Sequence, residues 1–410
     1  MLYIFIMLKR VLFDIAFSEE WGRQMRFING PRQAGKTTLS RLKLEQENSK
    51  NLYYLWDLRS IRNRYKTNEL FFTEDSPPKR HKQWVCFDEI HKLPKWKNIL
   101  KGIFDSTTEH YHFIVTGSAK LNLFKKAGDS LAGRYFNFHL FPLMLLEVHG
   151  FSAGQFQLPE SAQEWIQQKL DSPVYLKEAL SQLLQYGGFP EPFLKQSDVF
   201  LTKWAQDYTD TVIKEDIGAL TRILDREHLY DLYNLLPQMA GSPLSESSLA
   251  SHLELSPPTI KNHLKRLEDF YLAFKVHPYS KNIKRALLKA PKCYLYDWTR
   301  IQDPGKRFEN YIAVELLTRI YLWNDRSGEH YALLYIRTKQ KEEVDFLILR
   351  GKTPWLLIEA KLSDGNLENS LYKIQAMLGG IPLVQLCREE GICKMERKNS
   401  YRISASRFLA

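Results

Sequence analysis

The sequence predicts an α/β protein that begins with a parallel sheet and its crossover helices, continues as a mostly helical segment and ends in a second region of strands. Short apolar runs alternate with longer mixed segments over the first 150 residues, which is the pattern of strands joined by helices. Helical patterns dominate from about residue 174, and strand-like runs return in the last hundred residues. The 410 residues exceed the size of one ordinary hydrophobic core, so we expect two to three domains.

The composition is that of a globular chain with an excess of basic residues. Hydrophobic residues make up 44% and charged residues 26% of the chain, which excludes a largely disordered protein. The formal net charge of +11 favours a polyanionic partner such as DNA. The four cysteines lie far apart without a CxxC pair, so neither a disulfide framework nor a structural zinc site is expected and a reducing cytoplasm fits. Lys9 and Arg10 interrupt the apolar start of the chain well short of a membrane-spanning length, and the features of a signal peptide are missing, so we expect no membrane partner.

Eight strands and two helices are predicted at the places where the argument about function needs them. The N-terminal strands are Met25–Asn29, Leu52–Trp56, Trp84–Asp88, His112–Thr116 and Tyr135–Phe141, and a helical pattern runs from Thr38 to Glu47. The C-terminal strands are Tyr331–Ile336, Val344–Leu349 and Trp355–Glu359, behind a helix from about Arg307 to Leu322. The first, third and fourth strands are compact and apolar, as expected for strands buried on both faces of a sheet.

The segment after the first strand fits the phosphate-loop pattern GxxxxGK[ST]. The residues predicted to bind ATP there are Gly30, Pro31, Arg32, Gln33, Ala34, Gly35, Lys36, Thr37 and Thr38. The glycines let successive backbone N–H groups point at the phosphates, and the following helix adds partial positive charge at its N-terminus. We expect Lys36 to reach the β and γ phosphates and the Thr37 hydroxyl to bind Mg²⁺. ATP and Mg²⁺ are therefore the predicted cofactors.

Two acids end the third strand. Mg-nucleotide hydrolysis needs such a pair, because Asp88 can hold the metal, directly or through water, while Glu89 polarises the attacking water as general base. Hydroxyls follow the next strand in Thr116-Gly-Ser118, and Ser118 is either a γ-phosphate sensor or the start of a turn. His91, just after the acids, is expected to be a loop residue rather than a ligand.

Arg134 is the candidate for a cation that stabilises charge in the transition state. It could act in a neighbouring subunit, which would make the protein a homo-oligomer. The alternative is a plain solvated arginine.

Several motifs together resemble the prokaryotic AAA+-type ATPases that carry a C-terminal domain of unknown function. The motifs are Gly30–Thr38, Asp88-Glu89-Ile-His91, Thr116-Gly-Ser118, Ser130–Phe136 followed by Pro142 and Glu147, Tyr186–Pro190, Lys214-Glu-Asp-Ile217 and Pro291–Asp297. The resemblance covers most of the chain and implies an ATPase core, a winged-helix segment and a restriction-nuclease-like C-terminus. The expected domains are a P-loop ATPase domain at 1–150, a helical region at 151–235, a winged helix-turn-helix at 236–292 and a restriction-endonuclease-like domain at 293–410.

The helix-turn-helix is expected at Ser245–Leu253 and Ser256–Glu268. Ser256 can cap the second helix, whose residues Ile260, Leu264 and Leu267 would face the core. The residues left outward, of types suited to a DNA groove or to phosphates, are Thr259, Lys261, Asn262, Lys265 and Arg266. A further basic run follows where a wing could lie, at Lys281, Lys284, Arg285, Lys289 and Lys292. The alternative is a winged helix that packs against the ATPase domain and contacts no DNA.

A D…ExK arrangement lies near the C-terminus, at Asp345, Glu359 and Lys361. With Glu309 or Glu315 from an earlier helix, it resembles the restriction-endonuclease-like nucleases. Asp345 and Glu359 would bind one or two Mg²⁺ or Mn²⁺ ions, and Lys361 would orient a metal-bound water and stabilise phosphate charge. Gln375 is a further candidate to assist. The alternatives are acids that merely pair with lysines, or a domain that binds DNA without cutting it.

These features together predict an ATP-binding and ATP-hydrolysing protein whose nucleotide state controls a DNA-binding, metal-dependent nuclease half. The main alternative is a regulatory switch that binds nucleotide together with DNA or a protein partner and cuts nothing. A small-molecule kinase would use the same phosphate loop, but it gives no role to the C-terminal half.

Overall fold

The computed structural model describes residues 8–77, 81–107, 109–117, 131–150, 156–218, 226–280 and 290–410. The chain divides into two compact units. The N-terminal unit consists of Arg10–Phe141 with Asp269–Tyr271, and the C-terminal unit consists mainly of Pro142–Glu268 and Leu272–Ala410. Some residues singled out in the sequence lie outside the described residues, namely Ser118, Lys281, Lys284, Arg285 and Lys289.

The N-terminal unit is built on a five-stranded parallel sheet. Its strands are β1 Met25–Asn29, β2 Tyr53–Leu55, β3 Gln83–Asp88, β4 Tyr111–Thr116 and β5 Tyr135–His139. Their order is β2-β3-β4-β1-β5, and every neighbouring pair is parallel. The helices described here are α1 Val11–Ala16, α2 Lys36–Gln46, α3 Arg59–Thr67, α4 Phe72–Asp75 and α5 Trp96–Thr107. The predicted α/β class and its parallel sheet are confirmed, with strand bounds that shift by at most two residues.

The carboxyl ends of all five strands lie on one side of the sheet, because the strands are parallel. Within the sheet, β1 lies between the central strand β4 and the edge strand β5. β1 and β3 are buried along their whole length, which explains why both are short and apolar. An aromatic-rich core that includes Phe27, Phe87 and Phe113 packs on the sheet.

The C-terminal unit begins with helices. Those described are α6 Leu145–His149, α7 Ala162–Asp171, α8 Lys177–Tyr186, α9 Pro190–Lys195, α10 Asp198–Asp210, a π-helical stretch Thr211–Ile217, α11 Arg226–Met239, α12 Glu246–His252 and α13 Pro257–Asp269. In the described parts of the chain, no helix is both long enough and apolar enough to cross a membrane.

An eight-stranded mixed sheet completes this unit. Its strands are β6 Ala273–Pro278, β7 Lys292–Leu295, β8 Tyr331–Arg337, β9 Glu343–Arg350, β10 Thr353–Lys361, β11 Leu383–Cys387, β12 Cys393–Arg397 and β13 Ser400–Ser404, in the order β12-β13-β11-β10-β9-β8-β6-β7. The helices beside it are α14 Pro304–Ser327, α15 Asn369–Met377 and α16 Ala405–Phe408. Asp303 caps α14 by accepting a hydrogen bond from the Lys306 N–H, and Pro304 suits its first turn.

The hairpin that follows the helix-turn-helix joins this sheet. β6 and β7 are antiparallel to each other, and β6 also pairs with β8 in parallel at His277 and Pro278. The segments expected as separate domains at 236–292 and 293–410 therefore share one sheet, and the expected division at 292/293 falls inside β7.

Candidate functional site

The phosphate loop connects β1 directly to α2 at the carboxyl edge of the parallel sheet. Gly35 caps α2 at a φ of 98°, a left-handed conformation that favours glycine. Gly30 follows β1 with a φ of 140°, and a Cβ atom there would lie 1.9 Å from the carbonyl oxygen of Leu140. Both glycines are therefore required by the backbone path. The other residues predicted for this segment lie in the loop or in the first turn of α2, and they are Pro31, Arg32, Gln33, Ala34, Lys36, Thr37 and Thr38.

The ammonium of Lys36 is held inside this loop. Its Nζ donates to the carbonyl oxygens of Gly30, at 3.0 Å, and Pro31, at 2.6 Å, and the side chain is buried. A buried ammonium beside a glycine turn and a helix N-terminus is the chemistry that recognises nucleotide phosphates. The residues present therefore fit a bound triphosphate.

Asp88 lies at the end of β3 and gathers three hydroxyl donors. The Thr37 hydroxyl donates to its Oδ2 at 3.0 Å, the Tyr53 hydroxyl donates to the same oxygen, and the Thr116 hydroxyl donates to Oδ1. Only 5% of Asp88 is exposed, so these donors offset the cost of burying its charge. A hydroxyl and a carboxylate held together are hard oxygen ligands of the kind that Mg²⁺ prefers. The predicted Thr37 and Asp88 pair is thus brought together.

Tyr53 is a member of this cluster that sequence reasoning missed. It begins β2 and lies opposite Cys86 in the register with β3, which brings its hydroxyl to the strand's acidic end. Burial, followed by the hydrogen bond and charge of Asp88, raises the pKa of the Tyr53 hydroxyl above its usual range. The tyrosine therefore stays a neutral donor to the carboxylate. No sequence signal marks it, because the pairing of β2 with β3 sets this contact.

Glu89 turns away from the strand in a left-handed conformation with a φ of 61°. Its N–H donates to the Thr116 carbonyl at 3.0 Å, and its carboxylate Oε2 lies 3.3 Å from His91 Nε2 and 3.7 Å from Lys92 Nζ. Burial raises the pKa of Glu89, while the positive charge of Lys92 lowers it less. A carboxylate with a raised pKa is suited to accept a proton. His91 is buried against this acid in a short 3-10 turn after β3.

Arg10 precedes α1 and holds the phosphate loop by hydrogen bonds to backbone carbonyls. Its Nη1 donates to the carbonyl of Ala34 at 2.8 Å and its Nη2 to the carbonyl of Phe141 at 2.5 Å, and its side chain is buried. The guanidinium therefore ties the loop to the chain beyond β5. Sequence reasoning missed this role because its two partners lie 24 and 131 residues away.

Arg134 lies at the amino-terminal ends of the strands, opposite the side of the sheet that carries the phosphate loop. It immediately precedes β5, and its carbonyl accepts from the N–H of Met25, the first residue of β1. The phosphate loop follows the other end of β1. The Arg134 guanidinium instead forms a two-pronged pair with Asp105, with nitrogen–oxygen distances of 2.7 and 2.9 Å. Arg134 is therefore not brought to the phosphate loop of its own chain.

A second group of predicted residues meets in the C-terminal unit. Asp345 on β9 and Glu359 on β10 touch across the strands, since the N–H of Asp345 donates to Glu359 at 3.3 Å and the N–H of Ala360 donates to Asp345 at 3.1 Å. Glu359 and Lys361 lie on one face of β10, as predicted, with Nζ and Oε1 2.9 Å apart. Burial, followed by the charge of Asp345, raises the pKa of Glu359 to about 8.

Of the two candidate helix acids, Glu309 joins this group and Glu315 does not. Glu309 accepts from Lys292 at 3.1 Å and from the Tyr294 hydroxyl at 2.7 Å, and burial followed by the charge of Asp345 raises its pKa to about 7. Glu315 lies further along α14, where it accepts from the N–H of Leu145 at 2.6 Å.

Gln375 lies apart from the carboxylates. Its amide nitrogen donates to the carbonyls of Ile381 and Asn399, each at 2.9 Å, and its oxygen accepts from the Ser400 hydroxyl. These contacts join α15 to its neighbouring segments, so the side chain has a structural role.

Lys292 is the largest departure from expectation. The sequence places it in a basic run where a wing could lie and gives no sign of burial, but only 1% of it is exposed. Its Nζ lies 2.7 Å from Glu343, 3.1 Å from Glu309 and 3.1 Å from Asp345. The reason is that β7 pairs with β6 and becomes part of the sheet. In the portion of the chain that is described, no set of three or more acidic, histidine or cysteine side chains is arranged to hold a metal ion.

Two helices occupy the segments predicted for a helix-turn-helix, with α12 and α13 separated by residues 253–256. Ser256 caps α13 by accepting from the N–H of Thr259 at 3.3 Å. The residues predicted to face the core are buried, and they are Ile260, Leu264 and Leu267. Of the residues predicted to face DNA, Lys261, Asn262 and Lys265 are exposed, whereas Thr259 and Arg266 are half-buried.

Three family models match consecutive parts of the chain. Residues 22–149 match an AAA domain, residues 177–299 match a domain of unknown function (DUF8612), and residues 304–403 match another domain of unknown function (DUF4143). The first match contains the whole phosphate loop and both Asp88, the last residue of β3, and Glu89, which follows it.

Curated relatives share about a quarter of their aligned residues with this chain. An uncharacterized protein of Methanocaldococcus jannaschii is 25% identical over 298 residues, which are 70% of this chain and 63% of that protein. An uncharacterized protein of Mycobacterium tuberculosis is 23% identical over 344 residues, which are 80% of this chain and 68% of that protein. This chain therefore spans just under two thirds of the length of the first relative.

Among solved structures, the Aeropyrum pernix Orc1 protein in complex with DNA aligns with 75% of this chain and 92% of its own, at 11% identity and a TM-score of 0.28. The AAA match and the geometry of the loop agree: the N-terminal part of the chain has a phosphate loop and is similar to AAA domains, and its C-terminal part matches domains of unknown function.

Proposed function

We propose that the N-terminal unit binds Mg-ATP and hydrolyses it. The observation that carries this proposal is the hydrogen bond between Thr37 and Asp88 beside the loop-held ammonium of Lys36. Lys36 binds the β and γ phosphates, and the loop N–H groups bind the remaining phosphate oxygens. Thr37 and Asp88 hold the Mg²⁺ ion, which neutralises phosphate charge when bound.

Glu89 acts as the general base. Water attacks the γ phosphorus, the bond to the β-phosphate oxygen breaks, and Glu89 takes the proton of the attacking water. The half-buried position of Glu89 supports this role, because it raises the pKa of the carboxylate and so makes it a stronger base. Glu89→Gln should therefore keep ATP binding and lose turnover by about 10²- to 10⁴-fold.

Calorimetry and a phosphate-release assay on the full chain test this proposal. Lys36→Ala should abolish ATP binding, whereas the matched control Lys50→Ala should change nothing, because Lys50 is an exposed lysine paired only at the surface with Glu45. Turnover by Lys36→Ala or Glu89→Gln at the wild-type rate would refute the assignment.

Two further residues belong to this proposal. Ser118 serves as the γ-phosphate sensor, and Arg134 stabilises transition-state charge in a neighbouring subunit of a homo-oligomer. Arg134 lies at the opposite ends of the strands from the phosphate loop of its own chain. This position supports a role at the nucleotide site of a neighbouring subunit rather than at its own. Mixing Arg134→Ala with Glu89→Gln should then restore turnover that neither variant has alone, and failure to do so would remove Arg134 from the mechanism.

We also propose that the nucleotide state controls a DNA-binding C-terminal half. The exposed Lys261, Asn262 and Lys265 on the second helix of a helix-turn-helix support this, together with the net charge of +11. Duplex affinity should fall steeply with salt and should be lost when Lys261, Lys265 and Arg266 are all changed to Glu. ATP turnover that rises on addition of duplex DNA would link the two activities, whereas duplex binding that survives the triple change would favour a protein partner.

The C-terminal carboxylates allow two forms of this proposal. In one, Asp345 and Glu359 bind Mg²⁺ or Mn²⁺ and Lys361 assists cleavage of DNA; in the other, the domain binds without cutting. The contacts of Lys292 with Asp345 and Glu309 favour the second form. Plasmid cleavage by wild type but not by Asp345→Ala would favour the first.

A further inference from the structure

The buried lysine of β7 is surrounded by carboxylates from two different elements. Glu309 comes from α14, and Glu343 and Asp345 come from one face of β9. Their oxygens lie 3.1, 2.7 and 3.1 Å from Lys292 Nζ. The ammonium has three N–H donors and finds three acceptors, so its hydrogen-bonding capacity is satisfied.

The charges of this cluster keep the lysine protonated. Burial lowers the pKa of the Lys292 ammonium, but the negative charges of Asp345, Glu309 and Glu343 outweigh it and raise the net pKa well above its usual range. The ring of Tyr335 lies 5.6 Å from Nζ and adds a further favourable contact for a cation. The cluster therefore holds one positive charge at its centre.

The geometry points to a built-in cation: we propose that the Lys292 ammonium takes the place that a divalent metal ion would need among Glu309, Glu343 and Asp345. A metal ion at this point would need those oxygens at about 2.0–2.6 Å and would be repelled by the ammonium already there. The neighbouring acid, Glu359, is itself paired with Lys361 at 2.9 Å. The cluster is thus closed to Mg²⁺ and Mn²⁺.

This inference deepens the non-cleaving form of the proposed function. The C-terminal carboxylates are neutralised by a lysine of the same chain instead of a metal ion. A domain that binds nucleic acid in this form would therefore not cleave it. It does not depend on ATP hydrolysis, since every residue concerned lies in the C-terminal unit. Failure of the ATPase tests and failure of this inference are therefore separate results.

The experiment measures Mn²⁺ binding to nucleotide-free full-length protein by electron paramagnetic resonance, together with the melting temperature. Wild type and Asp345→Asn should bind the same amount of Mn²⁺, because wild type should hold no Mn²⁺ ion at this cluster. Lys292→Met should melt at a lower temperature, bind one Mn²⁺, and gain about 5 °C in melting temperature with 1 mM MnCl₂. The double variant Lys292→Met with Asp345→Asn should lose that gain.

Lys275→Met is the matched control. Lys275 on β6 is another largely buried lysine, and its Nζ lies 3.2 Å from the carboxylate of Glu268 on α13, which is its single acidic partner among the described residues. Its replacement should create no Mn²⁺ site. A wild-type Mn²⁺ site that disappears in Asp345→Asn would overturn the proposal, and so would a folded Lys292→Met that binds none. If Lys292→Met does not fold, the comparison of Mn²⁺ binding between wild type and Asp345→Asn still tests the proposal: equal binding supports it, and a loss in Asp345→Asn overturns it.

Discussion

Replacing Gly30 by alanine should destabilise the N-terminal unit by about 3 kcal/mol even without nucleotide. The added Cβ would lie 1.9 Å from the carbonyl oxygen of Leu140 and 2.9 Å from its carbonyl carbon, whereas real Cβ atoms stay at least 3.0 Å from such neighbours. The loop and the chain after β5 must then separate by about 1 Å. They are joined by the hydrogen bond from the Leu140 N–H to the Asn29 carbonyl at 2.8 Å, which resists that movement. The φ of 140° adds backbone strain for any residue with a side chain.

Guanidinium denaturation of nucleotide-free protein measures this loss. Gly102→Ala is the matched control, because Gly102 lies within α5 and a Cβ there meets nothing within 4 Å. That change should stabilise the unit by about 0.5–1 kcal/mol, because alanine is the better helix former. The same substitution therefore carries opposite signs at the two positions. A stability for Gly30→Ala within about 0.5 kcal/mol of wild type would refute the close approach of the loop to Leu140.

Three more changes test other contacts. Arg10→Met should cost about 3 kcal/mol and weaken ATP binding, because two buried carbonyls lose their charged donor; unchanged melting and calorimetry would contradict this. Tyr53→Phe should cost about 1.5 kcal/mol in urea denaturation by removing one of the donors to Asp88, and equal midpoints would count against that contact. Glu359→Gln should be about 5 kcal/mol more stable than wild type at pH 9 and equal to it at pH 4. The folded pKa of about 8 lies above the ordinary 4.5, so wild type loses stability as pH rises between these values, and parallel pH profiles would contradict the raised pKa.

Much of the N-terminal site could be predicted because its signals are local. β1 occurs at the predicted residues Met25–Asn29, and the loop and α2 follow in the predicted order. An apolar strand, glycines at fixed spacing and a helix start are properties of short segments. The acids at the end of β3 belong to the same class, since a strand's end is visible in its own sequence.

Other parts of the site depend on which strands become neighbours. Tyr53 reaches Asp88 only because β2 lies beside β3, and Arg134 lies far from the loop only because β5 runs parallel to β1. Arg10 contacts carbonyls that are distant in the chain. Neither composition nor spacing carries that information.

The sequence by itself determined the phosphate loop, the acid at the end of β3 and the helices α12 and α13, because each depends on residues within one or two adjacent elements. Tertiary structure decided the character of the C-terminal carboxylates. A lysine in a basic run reads as exposed, yet the pairing of β7 with β6 carries Lys292 into the sheet among three acids. Since a buried charge must be compensated by neighbours from elsewhere in the fold, its role became visible only when those neighbours were in place.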